Sequence, residues 1–160
     1  NPQNLRLPAS LNVGFRNTTG QLLSWTSHDN YYDTNAIKKM VEQLCTYKDV
    51  GLVCADFTRL DDKDRVFDIV HLPSPDKLKS KNTVGPCFLY RRVVYEAIGD
   101  YDEGMEYQED YDYWLRVHKH FKIMRLNKPL YYYRLHGAMT QHGYKHPEVW
   151  TKIKNKTNHI

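Results

Sequence analysis

Apolar residues return at helical spacing most clearly at Ile37, Met40, Val41, Leu44 and Cys45, with Lys38, Lys39, Glu42 and Gln43 between them. That pattern predicts a helix running from an N-cap at Asp33 to about Tyr47. An earlier helix is predicted over 5–18, entered through Pro8 and stopped at Gly20, before a short apolar strand over 21–25. The run Gly51 to Arg59 is rich in β-forming residues, and the Asp61-Asp62-Lys63-Asp64 cluster turns it toward Val66 to Val70, as a hairpin would.

Pro73 and Pro75 break the pattern, Lys77 to Asn82 is polar, and Thr83 to Tyr90 is again apolar around Gly85-Pro86. A short helix over 91–98 ends at Gly99, and a second helix carries Glu106 to Arg116. Two short strands, 122–126 and 130–134, precede a polar tail. This order of elements predicts an α/β layer fold, its sheet mixed because the hairpin adds an antiparallel edge.

Composition narrows this picture only moderately. A chain of 160 residues that is 41% hydrophobic and 13% aromatic has ample material for a core. The net charge of +4 comes from interleaved acids and bases, which does not argue for a nucleic-acid partner. The one basic concentration, Lys145 to Lys156, reads more simply as a solvated terminal helix or fraying end than as a membrane patch. Cys45, Cys54 and Cys87 stand far apart, which fits reduced thiols in a cytoplasmic protein better than disulfides or zinc. No apolar run is long enough to cross a bilayer. The opening on Asn1, without Met, leads us to expect a piece of a longer protein.

Candidate chemistry gathers in three places. In α/β sheets ligands sit beyond the carboxyl ends of strands, so Asp29, in the turn after 21–25, could hold a magnesium or manganese ion that also takes phosphate oxygens. An Asx-turn is the simpler explanation of Asp29-Asn30. Glu109, Asp110 and Asp112 open a helix, where unpaired backbone N–H groups stabilise acids, and Asp112 with Arg116 makes an i,i+4 pair. Trp114 shares a helical face with Asp110, so this carboxylate could stand against an apolar wall and work as a general base. In Tyr131 to His136, strand alternation puts Tyr132, Arg134 and His136 on one face, where Arg134 could meet a phosphate and His136 a metal, though a lone Arg or His near a strand end is more often a surface or hydrogen-bonded residue.

Taken in order, the segments Leu7 to Gly14, Trp25 to Tyr32, Val84-Gly85-Pro86 with Tyr90-Arg91-Arg92, Ile98 to Glu103, Glu109 to Arg116 and Tyr133 to His136 resemble the inverting family 2 glycosyltransferases of the GT-A fold. The resemblance covers about residues 5 to 140. It implies a GT-A-like, Rossmann-related mixed sheet flanked by helices, with the strand and loop that hold the nucleobase lying before Asn1. Residues 1–140 would then be a partial glycosyltransferase domain and 141–160 a basic tail or helix.

The resemblance further implies transfer, with inversion, from a nucleotide-sugar donor to the hydroxyl of a glycan, lipid-linked or protein acceptor, assisted by a divalent metal, in the cytoplasm or at the inner face of a membrane. Asp110 would be the base, with Glu109, Gly85 and Trp114 on the acceptor side. Ser27, His28 and Arg134 would meet the donor, and Asp29 with His136 the metal. Thr26 and His28 stand where the family places acids, a departure from its pattern. A non-catalytic carbohydrate-binding or assembly module is the alternative expectation, motivated by the missing nucleotide half and by Thr26 and His28; exposed members of the 13 tyrosines could stack on sugars, while many of them must be core.

Overall fold

The computed structural model describes residues 4–135 and 147–158. Helix α1 spans Arg6–Arg16 and leads to the short strands β1 (Leu22–Leu23) and β2 (Tyr31–Tyr32). Then come α2 (Ala36–Thr46), β3 (Val50–Leu60), β4 (Val66–Val70), β5 (Phe88–Arg91), α3 (Arg92–Ile98), α4 (Glu109–His118), β6 (Lys122–Arg134) and α5 (Pro147–Asn158). One six-stranded sheet has the order β1-β5-β3-β6-β2, with β4 on the same edge of β3 as β5. Strand β6 runs parallel to β3, and every other pairing is antiparallel. The sheet is therefore mixed, and the expected hairpin is β3–β4.

Both faces of the sheet are covered, which is why β3 reads as a nearly unbroken apolar run rather than an alternating one. Its Leu52 and Cys54 join Phe88 and Tyr90 of β5, Phe15 of α1, Val94 of α3 and the aromatic face of α4. On the other face Val53 and Ala55 pack with Leu89, Leu130 and the α2 residues Ala36, Met40 and Leu44. The buried stripe of α2 is thus Ala36-Met40-Leu44, while Ile37 and Cys45, expected inside, lie exposed. Asn35 rather than Asp33 caps this helix, and the Asp33 carboxylate accepts the Asn35 N–H at 2.9 Å, an Asx-turn one step upstream.

The two strands expected over 122–134 are one. Leu126 pairs with Ala55 and Pro129 with Asp56, so Asn127 and Lys128 bulge out and Pro129 loses no ladder bond the sheet needs. The C-terminal helix is docked: Val149 and Ile153 of α5 enter the core beside α4, and Lys156 reaches Asp112 at 2.5 Å and Asp102 at 3.0 Å. None of the described helices is long and apolar enough to cross a membrane.

Candidate active site

The loop between β1 and β2 is held by side chains that the sheet supplies. Ser24 Oγ donates to the Phe88 carbonyl at 2.7 Å, Thr26 Oγ1 and Tyr131 Oη lie 2.6 Å apart, and the Asn30 N–H closes the turn on the Ser27 carbonyl at 3.3 Å. Ser27 and His28 are exposed on this turn, and Asp29 is half-buried. Arg134, expected to meet donor phosphate, is the anchor of the loop in this structure. Its Nη1 donates to the Asp29 carbonyl at 2.6 Å, its N–H to Asn30 Oδ1 at 2.8 Å and its Nε to Asp64 Oδ1 at 2.9 Å. His136 lies outside the described residues.

The acidic pair sits at the first turn of α4, where backbone N–H groups face the carboxylates. Glu109 is 6% exposed and its Oε2 is buried with no hydrogen-bond partner among the described residues. Burial, and after it the charge of Asp110, pushes the Glu109 carboxyl up to about 7. Asp110 is raised as well by burial, against hydrogen bonds from the Tyr111 N–H at 2.7 Å and Asn82 Nδ2 at 3.0 Å. Asp112 is fully buried and belongs to a different network, accepting from Arg116 Nε at 3.0 Å and from Lys156. The i,i+4 pair read from the sequence is present and accounts for Asp112, while Asp110 has no cationic hydrogen-bond partner among the described residues.

Trp114 is fully buried, with its ring 4.6 Å from Phe88 and edge-on to Tyr113, so no face of it is open to an acceptor. This corrects the sequence expectation: Trp114 belongs to the core beneath the acidic helix, not to its surface. Gly85 takes φ +65°, and a Cβ there would come within 3.0 Å of Leu72 Cδ2 and 3.3 Å of Phe57. Glycine is needed at that point for both reasons.

Residues missed in the sequence tie these parts together. Asn82 holds Asp110 from the loop that carries Gly85. Trp25 Nε1 donates to Tyr101 Oη at 3.1 Å. The Tyr101 hydroxyl is pushed far up by burial, next by Tyr113, and also by the charge of Asp110. The Asp29 loop and the Asp110 helix are thus joined through one aromatic link. Turn chemistry around Asn82-Thr83-Val84-Gly85 could have signalled an Asx-turn, but a partner 28 residues away leaves no local trace.

The match that decides the family covers residues 1–99, well over half of the chain, with the model for glycosyl transferase family 2. The chain belongs to glycosyl transferase family 2. Among relatives of this family 2 member, an uncharacterized glycosyltransferase of Rickettsia prowazekii is 29% identical over 147 residues, covering 82% of this chain and 45% of the relative. One from Rickettsia typhi is 28% identical with the same coverage. The chain therefore spans under half the length of these relatives. Among solved structures, S. aureus TarS 1-349 in complex with UDP-GlcNAc is similar at a TM-score of 0.67 and 14% identity, covering 91% of this chain and 45% of that one. The mixed sheet flanked by helices is thus the GT-A-like architecture the family resemblance implied.

A divalent metal is common in family 2. Asp29 is the one carboxylate in the 26–30 turn, and among the described residues no three His, Cys, Asp or Glu side chains gather around a common point. The described donor set does not form an all-protein cage. Asp29 is the carboxylate that this turn would offer a cation, whose other ligands would have to come from outside the described side chains.

Proposed function

We propose that this family 2 chain carries the acceptor-activating side of an inverting glycosyltransferase that uses a nucleotide-sugar donor. The observation that carries this reading is the Glu109–Asp110 pair: two carboxylates at a helix N-terminus, both raised by burial, with no cation hydrogen-bonded to Asp110 among the described residues. An ion pair would hold Asp110 as a weak base. Burial makes it a stronger one, closer to the pKa that proton transfer from a hydroxyl needs.

In this reading the acceptor hydroxyl gives its proton to Asp110 as its oxygen bonds to the anomeric carbon, while the bond to the nucleoside diphosphate breaks on the opposite face. The configuration therefore inverts. Asp29, with the turn of Ser27 and His28, would face the diphosphate, and a divalent cation held there would supply Lewis-acid stabilisation of the leaving group's growing charge. The UDP-GlcNAc bound by TarS supports a nucleotide sugar as donor class. The acceptor we expect is a glycan, lipid-linked or protein hydroxyl. Free thiols at Cys45, Cys54 and Cys87 support the cytoplasm as the site of reaction.

In the intact enzyme Asp110→Asn should abolish transfer and leave donor binding nearly unchanged; full activity in that variant would sink the assignment. Asp29→Ala should remove the manganese-dependent part of donor affinity measured by calorimetry. Equal donor affinity with and without manganese in the unaltered enzyme would reject the metal role. Carbohydrate binding without transfer is the second reading, favoured by the Tyr31–Tyr132 stack at the sheet edge, 4.7 Å between centroids with Tyr31 45% exposed. Glycan-array binding that nucleotide sugars leave unaffected would favour it.

A further inference from the structure

The Asp110 carboxylate is held from two sides: Oδ1 by the Tyr111 N–H of its own helix and Oδ2 by the Asn82 amide from the loop before β5. Asn82 can serve this contact in only one of its two amide orientations. Its Oδ1 accepts the Val84 N–H at 3.1 Å, and a backbone N–H can only donate, so the NH₂ end must face the carboxylate. Directly beyond Val84 stands Gly85, seated over Leu72 and Phe57. A single side chain thus joins the glycine loop to the acidic pair.

We propose that Asn82 is the positioning residue of Asp110, fixing which carboxylate lone pair is presented to the acceptor hydroxyl. The inference rests on the reading of Asp110 as the base. Titratable groups also stand near Asp110 on the neighbouring elements. Glu109 precedes it on α4, with Glu106 acting in turn on Glu109, and Tyr101 comes from the segment between α3 and α4. These are acidic or neutral. Among the described residues the Asn82 amide is the side-chain group that favours the charged form of Asp110, against the burial that raises it.

A merely structural Asn82 would be different. The turn at Val84 uses only Oδ1, so the turn survives any replacement that keeps an acceptor there. Asn82→Asp does so while setting a carboxylate against Asp110, and Asn82→Ser keeps a smaller acceptor without the amide. Losing the amide bond destabilises the ionised form, so the Asp110 titration moves to higher pH. The acidic limb of a rate profile that needs the ionised base moves the same way.

The test titrates carboxyl-¹³C aspartate in the full chain, with Asp110→Asn assigning the resonance, in wild type, Asn82→Ser and Asn82→Asp. The expected midpoint for Asp110 rises in both Asn82 variants, by about one pH unit or more in Asn82→Asp. In the intact enzyme with UDP-GlcNAc as donor, the acidic limb of UDP release should shift by a matching amount. An unmoved midpoint in a folded variant overturns the proposal. So does activity lowered evenly at every pH with the limb in place, which is what a structural role alone would give. If Asp110→Asn is inactive and the limb stays fixed, Asn82 alone is misassigned; if Asp110→Asn keeps transfer, the base reading falls and this inference falls with it.

Discussion

Glu109→Gln should reveal the energetic cost of the acidic pair. The Glu109 carboxyl is lifted from 4.5 to about 7, chiefly by burial and then by the charge of Asp110. The folded state therefore binds this proton more tightly than the unfolded chain does. Stability from this group is fully present below about pH 4.5 and is lost as pH rises through about 7. At about 1.4 kcal/mol per pH unit, the loss approaches about 3 kcal/mol by pH 8. Glutamine is neutral throughout and pays no such penalty.

The variant should therefore be more stable than wild type at pH 8 by about 3 kcal/mol more than at pH 4. For a chain of this size that corresponds to a Tm difference of about 6–12 °C between the two pH values. Reversible urea denaturation of both proteins at pH 4, 6 and 8 measures it. Taking the difference between variant and wild type removes the opposite trend set by the carboxylates that ion pairs hold low, such as Asp100 and Asp102. A difference that is the same at pH 4 and pH 8 would refute the reasoning, because it would mean Glu109 titrates alike in both states.

Two further outcomes concern the scaffold of the site. Asp56 has no exposure, and although its burial opposes ionisation, Arg125 and then His71 hold its carboxyl low, Arg125 through two bonds of 2.8 and 2.9 Å. Arg125→Ala strands that charge and should cost about 3–5 kcal/mol in chemical denaturation, whereas a loss under about 1 kcal/mol would show that His71 and the Leu72 N–H suffice. Gly85→Ala combines a left-handed φ with a contact to Leu72 and should cost about 1–3 kcal/mol, with unchanged stability contradicting the geometry.

The acidic turn after a β-rich run made the β3–β4 hairpin legible, although Val66, Phe67 and Ile69 of β4 lie exposed, and periodicity made α2 legible. It misplaced the buried stripe of α2, since Ala36 is too small to stand out beside Ile37. The gap left between the strands read over 122–126 and 130–134 is a bulge, with Pro129 opposite Asp56, a register that only the β3 partner defines. The acids of α4 were visible as helix-opening residues. Which of them were buried, and with whom, depended on Asn82 and Lys156, which lie 28 and 44 residues away from their partners. Trp114 looked like a wall for the base from the outside because helical spacing gives a face without saying which side of it is solvent. Arg134 looked free for phosphate because its partner Asp64 is 70 residues distant.

Strand β3 has neighbours along both of its edges, with β6 on one and β4 and β5 sharing the other. A one-residue slip in it would exchange its two faces and dislodge three strands together. Insertions and deletions are therefore excluded from the middle of the domain and left to its loops. Divergence within this scaffold would then be written in the turn after β1, the loop before β5 and the first turn of α4, segments that can change what is recognised while the strand between them stays the same.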